Sequence, residues 1–241
     1  MTNTQHVIND SQRAAAKVAA LAYLISFALI VYTNFGLRGG FFVRADMAET
    51  VRRIASAEQV FRLSVACDLV YCVGVIVMIA ALYVVLSPVN RHLAVLASVL
   101  KLVYAVTALQ IALSLLTVAN LATQAAYTQA LHPEALQGLV RLNWVATSDE
   151  YYVGLAFWAL SATVFGWLWL KSRYIPAPLA VFGVASALWC AFCTFAYIIN
   201  PGFSRVVNLW VFDTPFALFD ITLSFWLLFK GLRGRAVGVA D

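Results

Sequence analysis

The fold is decided by long apolar stretches, of which the clearest is FRLSVACDLVYCVGVIVMIAALYVVL at residues 61–86. Its charged residues are Arg62 and Asp68, and it lacks the alternation of polar and apolar side chains that is typical of a strand. About 20 mostly apolar residues are enough to cross the roughly 30 Å hydrocarbon core of a bilayer as a helix. The stretch therefore predicts a transmembrane helix.

Five further stretches are long and apolar enough to cross a bilayer in the same way. They are Ala14–Phe35, Leu93–Asn120, Tyr151–Leu170, Leu179–Ile199 and Leu209–Phe229. The first is too long for a signal-peptide core, and we expect it to be retained. No linker or shift in composition divides the chain. We therefore expect a single transmembrane domain over residues 1–241, built as an all-α integral membrane bundle of six transmembrane helices.

The composition of the whole chain agrees with these spans. The chain is 63% hydrophobic and 11% charged, whereas an average soluble domain is about 25% charged. This composition excludes a disordered chain, a small disulfide scaffold and an ordinary water-soluble enzyme. The formal charge is +5, but no soluble domain is available to present a basic face. We therefore expect the lipid bilayer as a partner, and no nucleic acid.

Two interfacial amphipathic helices are expected in the long connections between spans. Asp46-x-x-Glu49 is similar to a capping box at the start of the first one. Apolar residues follow at helical spacing, namely Met47, Val51 and Ile54, with Arg52 and Arg53 on the other face. The second begins at His132-Pro133, and its apolar face carries Leu136, Leu139 and Val140. The alternative is that both segments only cap the bundle.

The orientation is predicted from basic residues beside short loops, which favour the cytoplasmic side. One side would hold Arg13, Lys17, Arg91, Lys171, Arg173, Lys230, Arg233 and Arg235. The other would hold Arg38, Arg44, Arg52, Arg53, Arg62, Arg141 and Arg205. The first group lies in short segments against the span ends, whereas four members of the second belong to one long loop. We therefore expect a multi-pass protein of the inner (cell) membrane with both termini in the cytoplasm.

Motifs at the ends of three spans carry a family resemblance. The second span runs from Phe61-Arg62 through Asp68 to LYVVLSPVNR at residues 82–91. The fourth ends in GWL at 166–168, followed by KSRYIP at 171–176, and the last ends in WLLFKG at 226–231. These motifs resemble the bacterial family called domain of unknown function 4386, and the resemblance covers most of the chain. It implies a multi-span bacterial membrane protein and brings no assigned activity.

Away from their ends, the predicted spans contain four charged residues, and each costs about 2.5–3.5 kcal/mol inside a span by insertion scales. They are Asp68, Lys101, Asp213 and Asp220. At about 1.5 Å per residue, Lys101 lies about 12 Å and Asp220 about 13–14 Å above the inner boundary. Opposite charges at matched depth suggest a pair, which is either a gate or polar site, or an ion pair that only fixes two helices.

The two remaining carboxylates lie nearer the outer mouth by the same rise. Asp213 lies about 24 Å and Asp68 about 27 Å above the inner boundary. A polar funnel narrowing to Lys101 and Asp220 would satisfy all four groups, although hydration at the interface also explains Asp68. Pro215, between the two aspartates of the last span, removes a hydrogen bond to the Val211 carbonyl and should kink that helix. Freed carbonyls beside carboxylates occur at transporter ion sites, but Pro is also common in spans without such a role.

The motif Cys190-x-x-Cys193 suggests a different function, that of a redox enzyme, because thiol–disulfide enzymes use such pairs. The aromatic residues Trp189, Phe192 and Phe195 surround the pair and argue against access by a reactant. The histidines His6, His92 and His132 lie outside the apolar runs, so we expect no metal, haem or other cofactor.

The function expected from these residues is that of a non-enzymatic membrane protein. It would bind or move a small-molecule ligand through a polar site formed by spans two, three and six. The alternatives are an intramembrane oxidoreductase of the thiol–quinone type, with Cys190 and Cys193 as its redox centre, and a structural or regulatory membrane partner. The sequence sets no oligomeric state.

Overall fold

The computed structural model describes residues 8–233, which are built from helices joined by short connections. The α-helices are α1 (Asp10–Val31), α2 (Met47–Ser56), α3 (Glu58–Leu86), α4 (Arg91–Thr123), α5 (Ala125–Ala130), α6 (Pro133–Ser172), α7 (Ala177–Ile199) and α8 (Leu209–Phe229). A π-helical segment, Tyr32–Leu37, continues α1, and a 3-10 helix, Pro201–Arg205, precedes α8. His6, Arg235 and both termini lie outside the described residues.

Six helical segments of the described chain are long and apolar enough to cross a membrane. They are Asp10–Leu37, Glu58–Leu86, Arg91–Thr123, Pro133–Ser172, Ala177–Ile199 and Leu209–Phe229. Each contains one of the stretches predicted from the sequence. The protein is therefore an all-α membrane bundle with six spanning helices, as predicted.

The second amphipathic segment differs from its expected form, because it is not a separate helix. Pro133 starts α6, and the same helix continues without interruption to Ser172. Residues 141–150, RLNWVATSDE, contain polar side chains but no Pro or Gly, so nothing in them breaks the backbone. A helix of 40 residues is about 60 Å long, about twice the thickness of a hydrocarbon core.

The first amphipathic helix, α2, has the expected form. The Asp46 carboxylate accepts a hydrogen bond from the Glu49 backbone N–H at 2.9 Å and so caps the helix. Ile54 is fully buried on one face, while the Arg52 side chain is 79% exposed on the other. The Glu49 side chain does not complete the capping box, since it binds the guanidinium groups of Arg52 and Arg53. The hydrogen bond from Arg53 holds the pKa of Glu49 below its usual value.

The described chain divides into two compact units. The first unit contains the described parts of residues 1–24, 75–103 and 155–241, and the second contains residues 25–74 and 104–154. Helices α1, α3, α4 and α6 contribute residues to both units. The expectation of a single domain stays a prediction.

Helices of the first unit approach closely at small residues. A Cβ atom added to Gly183 of α7 would lie 2.4 Å from the Phe219 ring of α8. One added to Gly166 of α6 would lie 2.8 Å from the Val184 side chain of α7. Small residues at such crossings are typical of helix packing in membranes. The polar Gln12 of α1 is also buried here, and its amide donates to the Val85 carbonyl at 3.0 Å.

The second unit has its own apolar core. Phe41 and Phe61 pack edge to face with ring centroids 5.3 Å apart, and Ile54 of α2 joins them. Val118 of α4 and Val140 of α6 complete the core, and both are fully buried. The α2 helix is therefore held to the second unit by its apolar face.

The π-helical segment connects α1 to Arg38. Its last hydrogen bond runs from the Arg38 backbone N–H to the Thr33 carbonyl at 2.9 Å, which is an i→i+5 bond. Such wide turns are rare and occur frequently at functional sites. In this chain the segment directly precedes an arginine that forms a buried ion pair, described below.

Candidate functional site

Lys101 lies in the first unit, and its side chain is buried. It is 3% exposed, and its ammonium lies over the face of the Trp158 ring at 3.8 Å from the centroid. The Phe165 ring is 5.9 Å away. Trp158 and Phe165 are two turns apart on α6, so they share a face of that helix. The Ser161 hydroxyl fixes this face on α4 by donating to the Ala97 carbonyl at 2.7 Å.

Asp220 of α8 belongs to the same cluster. Its carboxylate accepts a hydrogen bond from the Trp158 side chain and interacts electrostatically with Lys101. Within the described residues, Lys101 and Asp220 form no direct ion pair, and Trp158 contacts both. The predicted pair thus lies in one cluster, in which a tryptophan receives the ammonium on its ring face and donates its N–H to the carboxylate.

Asp213 lies two turns from Asp220 on α8 and is electrostatically coupled to it. Pro215 lies between them inside the helix, where it cannot donate to the Val211 carbonyl. We define the polar cluster as Lys101, Trp158, Asp213 and Asp220. It is formed by α4, α6 and α8, which are the third, fourth and sixth spans.

Asp68 lies in the second unit, where its partner is Arg38. The Arg38 Nη2 donates to Asp68 Oδ1 at 2.5 Å, and the side chains are 8% and 6% exposed. Two further atoms of the pair, Arg38 Nε and Asp68 Oδ2, are buried without a hydrogen-bond partner among the described residues. A role for Asp68 in solute binding stays a prediction.

Sequence reasoning missed Trp158 and Arg38 as partners of the charged residues. Trp158 offered one signal, because a tryptophan in the middle of a span is not part of an interfacial aromatic belt. Arg38 offered only its predicted position on the same side of the membrane as Asp68, since it lies beyond the predicted end of the first span and 30 residues from Asp68. The π-helical segment directly precedes Arg38 in the chain.

Cys190 and Cys193 are both free thiols, and both side chains are fully buried in α7. Asp213 is within electrostatic range of Cys190. Reactive cysteines occur in partly exposed, electropositive surroundings, whereas buried structural cysteines are inert. No described feature of these cysteines specifically supports the redox alternative, which stays a prediction.

A comparison with protein families gives a match over nearly the whole chain. The family model described as Domain of unknown function (DUF4386) matches residues 18–231, which include the polar cluster and the Arg38–Asp68 pair. Comparisons with curated proteins and with solved structures give no match. The chain therefore belongs to the family described as Domain of unknown function (DUF4386), as its span-end motifs suggested.

Proposed function

We propose that this protein binds a small polar solute at the polar cluster and moves it through the membrane. The observation that carries the proposal is the arrangement of Lys101 and Asp220 around Trp158. Two opposite charges lie inside apolar helices and are coupled, yet they are not joined directly. Ionisable residues inside spans are expensive and mark substrate or ion pathways.

The hydrogen-bonding chemistry of Lys101 and Asp220 supports a solute between these groups. An ammonium has three donors, and the described contacts of the Lys101 ammonium are with the Trp158 and Phe165 rings. A carboxylate has about four acceptor positions, and Asp220 receives the Trp158 N–H. A solute that offers an acceptor to Lys101 and a donor or positive charge to Asp220 would complete both sets of hydrogen bonds.

The interruption of α8 at Pro215 supports the same proposal. Proline leaves the Val211 carbonyl without its helical donor, so a polar backbone group becomes available near Asp213. Unpaired carbonyls beside carboxylates contribute to ion and substrate sites in transporters. The helix that carries both aspartates is thus the element we expect to contact a moving solute.

Lysine methylation tests whether water and small solutes reach the polar cluster. The protein in lipid nanodiscs is treated with formaldehyde and cyanoborohydride, and modified lysines are identified by peptide mass spectrometry. We expect dimethylation of Lys101, at a lower rate than at the exposed residues Lys17 and Lys171. Trimethylglycine, a zwitterion that does not react with formaldehyde, should slow modification of Lys101 and leave Lys17 unchanged. If Lys101 stays unmodified while both control lysines react, the proposal is overturned.

We also propose that the protein lies in a bacterial inner membrane with both termini in the cytoplasm. The support is the concentration of basic residues in short segments on the side of Lys171. A membrane-impermeant maleimide should label Thr128→Cys on intact cells and should not label Ser172→Cys. The unaltered chain, whose four cysteines are buried or half-buried, measures the background. Labelling of Ser172→Cys alone would reverse the orientation.

A further inference from the structure

A half-open cavity of about 230 Å³ lies in the second unit. Its lining residues are Arg44, Arg141, Trp144, Val145 and Ser148, and none of them is acidic. The Trp144 ring is held in place by Phe42, which stacks on it with centroids 4.7 Å apart. The cavity shares no residue with the polar cluster.

The arginines of the second unit divide into two groups. Four of them bind carboxylates, namely Arg38, Arg52, Arg53 and Arg62. The remaining two, Arg44 and Arg141, have no ion pair among the described residues, and both line this cavity. An anion in this cavity would face two guanidinium groups that have no described ion pair, and opposite charges attract at short range.

The side chains that line the cavity favour a phosphate group as the bound anion. Guanidinium forks match the oxygens of phosphate, and the Ser148 hydroxyl adds a further donor. The volume is below the roughly 300–1,000 Å³ of pockets that enclose drug-sized ligands, so it suits a headgroup rather than a larger organic molecule.

The position of the cavity along the chain indicates that the phosphate group belongs to a lipid. Arg141, Trp144 and Ser148 lie in the polar first part of α6, directly before its apolar part at residues 151–170. Tryptophan is enriched at the level of lipid headgroups, and basic residues beside spans attract anionic lipids. We propose that Arg44, Arg141 and Ser148 bind the phosphate of an anionic phospholipid headgroup, with Trp144 packed against it.

The test compares phosphatidylglycerol with phosphatidylcholine in micelles that contain the purified full chain. Phosphatidylglycerol should raise the thermal unfolding temperature, and native mass spectrometry should show it bound. Each of the changes Arg44→Gln and Arg141→Gln should weaken its binding about tenfold, since each removes one charge-assisted contact. Both arginines are exposed, so the variants should fold as the unaltered chain does.

The matched control is Arg205→Gln, which removes the same charge from an exposed residue outside the cavity. It should bind phosphatidylglycerol as the unaltered chain does. An equal loss of phosphatidylglycerol binding in this control would mean general attraction to anionic lipid and would overturn the proposal. Undiminished binding by the double variant Arg44→Gln with Arg141→Gln would also overturn it. Soluble glycerol phosphate, added to the protein in phosphatidylcholine micelles, tests whether the bound phosphate comes from a lipid or from a soluble molecule. If it alone stabilises the protein, through the same two arginines, the phosphate site stands and the lipid source is overturned.

Discussion

Replacing Arg38 with methionine should lower the free energy of unfolding by about 3–5 kcal/mol, because it leaves a buried carboxylate without its partner. Asp68 is 4% exposed, and its described hydrogen bond comes from the guanidinium that the substitution removes. Methionine keeps much of the length of the arginine stem, so the loss reports the charge rather than a large cavity. Unfolding by dodecyl sulfate in mixed micelles, followed by circular dichroism, measures the change.

Arg52→Met is the matched control for this prediction. The Arg52 side chain is 79% exposed in its ion pair with Glu49, and exposed pairs contribute about 0–1 kcal/mol. The double change Arg38→Met with Asp68→Leu should recover much of the stability, since it removes both buried charges. A loss for Arg38→Met no larger than that of the control would contradict the buried pair and would favour hydration of Asp68.

Lys101→Met should destabilise the protein by a similar amount, about 3–5 kcal/mol where burial is full. The change removes the ammonium from the face of Trp158 and leaves Asp220 without its nearby positive charge. Asp220→Asn should also destabilise, because Lys101 then remains as an uncompensated charge. The double substitution leaves neither charge, so it should recover much of the loss. A double-mutant cycle in the same unfolding assay gives the coupling free energy.

A further variant for this cycle is Trp158→Phe. This substitution keeps an aromatic face for Lys101 but removes the N–H that donates a hydrogen bond to Asp220. It should therefore lower the free energy of unfolding by less than either charge substitution. Additive losses of Lys101→Met and Asp220→Asn, without recovery in the double variant, would contradict their coupling. Each charge would then be compensated by a different neighbour or by water.

The spans could be predicted from the sequence because a long apolar run has one stable arrangement in lipid, a helix whose backbone groups bond internally. The α2 helix could be predicted for a similar reason, since its cap at Asp46 and its apolar face are local features. The continuity of α6 could not, because the polar residues at 141–150 are compatible with either a loop or an exposed turn of helix.

The partners of the charged residues were harder to predict than their depth. The rise per residue places Lys101 and Asp220 near the same level, but it does not give the rotation of each helix. Trp158 could therefore not be placed beside them from spacing alone. Arg38 was still less accessible to prediction, because the neighbours of Asp68 depend on a non-α turn that leaves no clear mark in the sequence.

The π-helical segment Tyr32–Leu37 makes the length of this stretch as important as its composition. A π-helix closes i→i+5 bonds where an α-helix closes i→i+4 bonds, so the wide turn accommodates one additional residue. One residue corresponds to about 100° of rotation in an α-helix. A single-residue deletion between Tyr32 and Leu37 would let α1 continue as a regular helix, but it would swing Arg38 away from Asp68. Side-chain changes at exposed positions such as Asn34 or Phe35 keep the residue count and would leave the ion pair in place.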